Sequence, residues 1–352
     1  MIAGGRAQTG EAPRAPLIAD ANRAVRPLVD AFGRRIDYVR LSVTDRCDLR
    51  CRYCMAETMT FAPTPDILTF DEIEALVDAL IVRGVRRVRL TGGEPLVRRG
   101  IEKLLDRIGS RVGSGLDELT LTTNGTQLTR LASRIFDAGV RRINVSLDSL
   151  DPERFRHITR RGDLAQVLAG VQAAKDAGIA IKINMVALKG LNDDEIGRML
   201  GWCSAQGFDL TLIETMPLGL VERDRAEQYL PLDVVRERLA SQFTLLPSTY
   251  RTGGPARYYQ IEGSATRLGL ITPLTRNFCS GCNRIRIAAT GTVYGCLGRD
   301  TKVELREVLR GGGREALDGL LDELIARKPL GHDFRIEGAR PAVSRHMSVT
   351  GG

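Results

Sequence analysis

Short apolar runs alternate with longer amphipathic stretches from Ile36 onward. Six runs have strand character: Asp37–Val43, Val85–Thr91, Glu118–Thr123, Arg141–Leu147, Ile179–Val186 and Phe208–Thr215. Segments of helical period lie between them, among them Asp71–Arg83, Gln127–Ala138, Leu164–Ala177 and Asp193–Ala205. Gly84, Gly139 and Gly178 close three of these, where a left-handed C-cap favours glycine. Regular alternation predicts parallel strands joined by right-handed crossovers. Six such units are too few to close an eight-stranded barrel, which leaves a doubly wound sheet or an incomplete barrel.

Parity along the strands separates these two. Successive side chains point to opposite faces. One face carries Leu41, Val43, Val88, Leu90, Leu119, Leu121, Ile143, Val145, Ile181, Ile183 and Ile213, and can pack under helices. The other carries Arg40, Ser42, Arg89, Thr91, Thr120, Thr122, Asn144, Ser146, Lys182, Asn184, Glu214 and Met216. A sheet covered on both sides would be apolar on both. The reading is therefore an incomplete (βα)6 barrel of the TIM type, with a wet mouth at the C-terminal ends of its strands. Beyond Leu246 turn formers become dense and the β-runs shorten, as at Arg257–Ile261 and Ile285–Ala288, before a last helix near Arg314–Ala326. The predicted organisation is a disordered lead-in over 1–27, the barrel over 28–245 and an α+β region over 246–352.

Composition adds limits. The 352 residues are 43% hydrophobic and 27% charged, which excludes collagen, coiled coil and wholesale disorder. No apolar stretch approaches the roughly 18 residues of a membrane span. The net charge of +8 does not by itself establish nucleic-acid binding, and aromatics are only 5% of the chain. Residues 1–27 hold acidic and basic residues and no apolar h-region, so the expectation is a reducing, cytoplasmic location.

The cysteines carry the chemistry. Cys47, Cys51 and Cys54 form C-x3-C-x2-C directly after the first strand, and Cys279, Cys282 and Cys296 form a second group. Three thiolates without a fourth ligand nearby suit a [4Fe–4S] cluster with one open iron, while a distant fourth ligand would make either group a zinc site. Cys203, beside Trp202, reads as a small buried hydrophobe. Arg40, Arg89 and Lys182 share the open face, and Arg284 and Arg286 alternate just past Cys282. Such like charges repel unless an anion joins them, and guanidinium forks match phosphate.

These strings resemble the radical S-adenosylmethionine (SAM) superfamily. Arg40 through Cys47, Tyr53-Cys54-Met55, Thr91-Gly-Gly-Glu-Pro95, Thr122-Thr-Asn-Gly125, Asn144 through Asp148, Cys279-Ser-Gly-Cys282-Asn-Arg-Ile-Arg286 and the terminal Gly351-Gly352 are similar to its GTP 3′,8-cyclase family, from about Leu28 to the end. Asp48 and Ala56 depart from that family's usual Asn and Pro. The resemblance implies two [4Fe–4S] clusters on the two cysteine groups and SAM contacts from Tyr53, Gly93, Ser146 and Met216. It implies GTP binding by Arg40, Arg89, Thr122, Lys182, Arg284 and Arg286, and a catalytic Gly351-Gly352 tail reaching the active site. It also implies an external electron donor, a following enzyme of molybdenum cofactor biosynthesis that receives the product, and a monomer or homodimer without membrane or nucleic acid. Two other readings remain open here: another radical SAM enzyme with an auxiliary cluster, and a zinc-stapled nucleic-acid-binding protein.

Overall fold

The computed structural model describes residues 26–219, 225–336 and 341–351, so most of the expected lead-in and Gly352 fall outside it. One twelve-stranded sheet organises the chain. Its strands are β1 (Tyr38–Ser42), β2 (Arg87–Thr91), β3 (Glu118–Thr123), β4 (Arg142–Ser146), β5 (Ala180–Ala187), β6 (Asp209–Glu214), β7 (Leu245–Pro247), β8 (Arg257–Ile261), β9 (Arg267–Ile271), β10 (Arg284–Ile287), β11 (Thr292–Tyr294) and β12 (Lys302–Glu304). The order across the sheet is β12-β11-β10-β1-β2-β3-β4-β5-β6-β9-β8-β7. From β10 to β9 every pairing is parallel. The partial barrel thus gains a strand at each edge from the C-terminal stretch, β10 beside β1 and β9 beside β6. Antiparallel strands then cover both edges.

The helices are α1 (Phe70–Val82), α2 (Ile101–Gly109), α3 (Leu128–Asp137), α4 (Pro152–Thr159), α5 (Leu164–Asp176), α6 (Ile196–Gln206), α7 (Arg225–Gln228), α8 (Leu232–Ala240), α9 (Gly313–Ala326) and α10 (Met347–Thr350). Local chemistry sets their ends. Thr69 and Glu72 form a reciprocal capping box at the start of α1. Asp151, followed by Pro152, caps α4, and Asp163 caps α5. Gly84, Gly139 and Gly178 have φ of 90°, 85° and 83°, as left-handed caps require. α6 begins later than its periodicity suggests, because Asn192 and Asp193 spend their side chains on the preceding turn: Leu188 N donates to Asn192 Oδ1 and Gly190 N to Asp193 Oδ1. No helix of the described residues is long and apolar enough to cross a membrane.

The apolar strand face is buried as predicted: Leu41, Leu90, Leu121, Ile143, Val145 and Ile183 are fully covered. The register corrects one strand. Thr211 stands opposite Asn184 and Ile213 opposite Val186, so on β6 it is Thr211 and Ile213 that face the lumen. Glu214 lies on the covered side, fully buried, and its carboxylate accepts from the amides of Leu232, Leu274 and Thr275. A polarity rule misplaces Glu214 because glutamate is seldom fully buried unless its carboxylate is paired, as backbone N–H groups pair it here. Met216, past the strand end, does reach the lumen.

Candidate active site

The polar face of the sheet lines one cavity. Arg40 stands opposite both Arg89 and Arg286, so neighbouring strands place three guanidinium groups side by side. All six cysteines of the two groups line this cavity, together with Tyr53, Gly93, Thr122, Ser146, Lys182, Met216, Arg284 and Arg286.

The first cysteine group lies among carboxylates. Gly92 and Gly93 of the second βα turn lie against its loop: a Cβ at either would come within 2.5 Å of the carbonyl oxygen of Thr44 or Arg46. These glycines therefore let one loop rest on another, and Gly93 N and Glu94 N donate to Thr44 O and Arg46 O, both at 2.8 Å. Glu94 is 1% exposed and accepts from Thr123 Oγ1 (2.8 Å), Asn124 N (2.6 Å) and Leu96 N (3.0 Å). Burial nevertheless pushes its pKa to about 8. Asp148 accepts from Tyr53 Oη at 2.7 Å and Val186 N at 2.9 Å, and burial raises its pKa to about 6. Asp48, at the position of an expected Asn, accepts from Asn124 Nδ2 (2.7 Å) and Thr126 Oγ1 (2.6 Å). The Cys47 thiol is pushed up by burial and then by Glu94, and the Cys51 thiol by burial, Cys54 and Asp148.

The second group lies among cations. Lys328 is 2% exposed, and its Nζ donates to Cys282 Sγ at 3.6 Å and Gly295 O at 2.6 Å. Burial raises the Cys282 pKa, but Arg284 and Lys328 outweigh it and bring the value down to about 7. Arg34, paired with Asp30, donates to Cys279 O, Leu330 O and Pro329 O at 2.7 Å each, tying the segment just before β1 to this group. His332 and Phe334 stack at 4.2 Å beside it and line the cavity.

Several polar atoms in the lumen are buried with no partner: Arg40 Nε, Thr91 Oγ1, Thr122 Oγ1, Asn184 Oδ1 and Thr211 Oγ1. Buried polar groups are normally satisfied, so this set fits a polar ligand. Burial, then Arg40 and Arg284, holds the Arg286 pKa well below its usual range, as expected for a buried cation gathered with others. The chain's end also enters here. Gly351 is buried with φ 73°, its carbonyl accepts from Arg286 Nη1, and a Cβ on it would overlap the Thr91 hydroxyl.

Each described residue that the sequence singled out is therefore at the cavity or, for Gly351, bonded into its wall, while Cys203 is buried in α6. Sequence reasoning missed Asp148, Tyr258, Phe278, His332 and Phe334 as site residues. Asp148 ends the Asn144–Asp148 string, which is a signal for it, whereas Tyr258 lies in the short strand β8 and Phe278, His332 and Phe334 in irregular segments, none of them in a spacing motif of its own. Each group offers three free thiols to the cavity, a donor set that fits one open-iron cluster apiece. Among the described residues no three His, Cys, Asp or Glu side chains are gathered closely enough to hold a single metal ion.

The comparisons with known proteins agree with this geometry. The family model for the radical SAM superfamily matches residues 41–203, and that for Molybdenum Cofactor Synthesis C matches residues 208–334. A relative from Rhizobium etli (strain CIAT 652) named GTP 3′,8-cyclase is 56% identical over 347 residues, covering 98% of each chain. Another of that name, from Rhizobium meliloti (strain 1021), is 57% identical over 330 residues, 93% of this chain and 95% of the relative. Among solved structures, Streptococcus suis SuiB bound to S-adenosylmethionine matches with a TM-score of 0.57 at 16% identity, over 82% of this chain and 68% of that one. That likeness concerns the fold.

Proposed function

The chain belongs to the GTP 3′,8-cyclase family of radical SAM enzymes, and from that premise we propose which of its residues perform each part of the reaction. The reaction is the radical cyclisation of GTP to (8S)-3′,8-cyclo-7,8-dihydroguanosine 5′-triphosphate in molybdenum cofactor biosynthesis, with two [4Fe–4S] clusters and SAM.

Cys47, Cys51 and Cys54 would hold the SAM-binding cluster, and Cys279, Cys282 and Cys296 would hold the second. When bound, the first would supply the electron for reductive cleavage of SAM, the source of the radical that the cyclisation needs. Tyr53, fixed by Asp148, together with Gly93, Ser146 and Met216, orients SAM. Arg40, Arg89, Lys182 and Thr122 bind the triphosphate, and Arg284 and Arg286 extend the clamp beside the second group, so that the nucleoside is held in place for C3′ to close on C8. Gly351, whose carbonyl accepts from Arg286 at the lumen wall, forms the catalytic tail together with Gly352 in this reading. An external one-electron donor, a following enzyme that takes the product, a cytoplasmic location and a monomeric or homodimeric state complete the reading.

One observation carries this assignment: six thiols in two groups and five basic side chains line the same cavity. Anaerobic reconstitution tests it. About eight irons with matching sulfide per chain are expected, and a reductant, SAM and GTP should yield 5′-deoxyadenosine and the cyclised nucleotide together. Zinc without sulfide, or 5′-deoxyadenosine without cyclised product, would refute it.

A further inference from the structure

Lys182 sits where a permanent cation is costly. Its side chain enters the lumen from β5, the residue is 3% exposed, and it makes no ion pair among the described residues. Its Nζ donates to the Tyr258 hydroxyl and lies 4.7 Å from the centre of that ring. The charged groups facing it are Arg142 from β4, Asp209 from β6, Arg89 from β2 and Arg267 from β9. The one carboxylate among them is engaged elsewhere, Asp209 with Arg267 at 3.1 Å, and Arg142 has its own partner in Glu118 at 2.6 Å. Unlike arginine, lysine can lose its charge in such a setting. Burial first, then Arg142, brings its pKa down to about 7.

Tyr258 is placed with equal care. It is 3% exposed, stands opposite Gly269 of β9, and meets Tyr250 edge-on at 4.9 Å. A Cβ on Gly269 would come within 2.9 Å of the Tyr258 ring, so the glycine makes room for it. Its hydroxyl lies 3.4 Å from Thr252 Oγ1, and burial raises its pKa, so the phenol stays neutral.

We propose that binding of the nucleoside triphosphate is coupled to uptake of one proton at Lys182, with Tyr258 as the positioning residue that keeps this amine aimed into the lumen until the phosphates arrive. The inference rests on the lumen being the triphosphate site. The proton comes from solvent; one N–H bond forms, and the new ammonium charge is matched by phosphate oxygens. The empty lumen is thereby spared one cation beside its arginines, and the full charge develops only with the anion present.

Calorimetric titration of the anaerobic holoenzyme with GTP, in two buffers of different ionisation enthalpy, counts the protons. At pH 8 the wild type should take up about one proton per GTP, and its affinity should fall roughly tenfold from pH 8 to pH 9. Lys182→Arg should bind GTP with no such uptake and a flat affinity over that range. Lys182→Met should also show no uptake, at weaker affinity, and stands in if arginine disturbs folding. Tyr258→Phe should weaken GTP several-fold while the proton count stays near one and SAM affinity is unchanged. GTP binding without proton exchange in the wild type, or uptake retained in Lys182→Arg, overturns the coupling. Undiminished affinity in Tyr258→Phe overturns the positioning role. A wild type that binds no GTP at all overturns the triphosphate site itself, and the coupling with it.

Discussion

The two cysteine groups share one cavity and have opposite electrostatic surroundings. Around the first group stand Glu94, Asp48 and Asp148; Glu94 and Asp48 add to burial in raising the Cys47 thiol pKa, and Asp148 does so for Cys51. Around Cys282 stand Arg284 and Lys328, and they overcome burial. The difference matches the two ligands of the family. SAM brings a sulfonium and an ammonium, which carboxylates stabilise, whereas GTP brings a triphosphate, which guanidinium forks stabilise. On the proposed assignment, SAM would meet the carboxylate side and GTP the cationic side.

The sharpest way to break that division is to remove one thiol at a time. Cys51→Ala should abolish 5′-deoxyadenosine formation altogether. Cys282→Ala should leave reductive SAM cleavage in place and stop cyclisation, and chromatography of both products after single turnover separates the two. If the Cys51 variant still cleaves SAM, the assignment of sides is wrong. Next comes the tail, which touches the cationic side through Arg286. Gly351→Ala forces a side chain onto the Thr91 hydroxyl at a φ of 73°. The cyclised product should fall by at least tenfold while SAM cleavage continues, as it should on deletion of both terminal glycines. Full-rate product from either variant would show that the tail has no catalytic part.

A single cation is a smaller change. Charge-assisted hydrogen bonds contribute about 1.5–3 kcal/mol each, so Arg89→Ala should weaken GTP about 10- to 150-fold with SAM affinity nearly constant. Equal loss of both ligands would mean damage to the fold. On the acidic side, burial lifts the Asp148 pKa from 3.8 to about 6. Between those values the native chain keeps a proton that the unfolded chain has lost, so stability falls as pH rises to about 6 and is level above it. Asp148→Asn should therefore stabilise the cluster-free chain by about 3 kcal/mol at pH 7, shrinking to about 0.5 kcal/mol at pH 4. SAM affinity should fall in the same variant. Denaturant melts at the two pH values check the first part, and an unstabilised variant at pH 7 would mean that the carboxylate is better satisfied than its burial implies.

Much of the scaffold was legible because its causes are local. Strand and helix order follows from periodicity, three helix ends follow from capping glycines, and the cysteine spacing marks two groups of thiols. The inward cations were legible too, since parity along a strand is fixed by the backbone. What the sequence could not settle depends on partners distant along the chain. That β9 and β10 complete the parallel run is decided by pairing with β6 and β1, far away in sequence. That Ile213 and not Glu214 faces the lumen is decided by register against β5 and by amides of Leu232 and Leu274. Asp148 beneath Tyr53, Tyr258 beneath Lys182 and Gly351 against Arg286 are likewise meetings between segments that no spacing rule links. Spacing and periodicity record what a residue does to its neighbours in the chain, and only the closed sheet determines which charges must share one low-dielectric space.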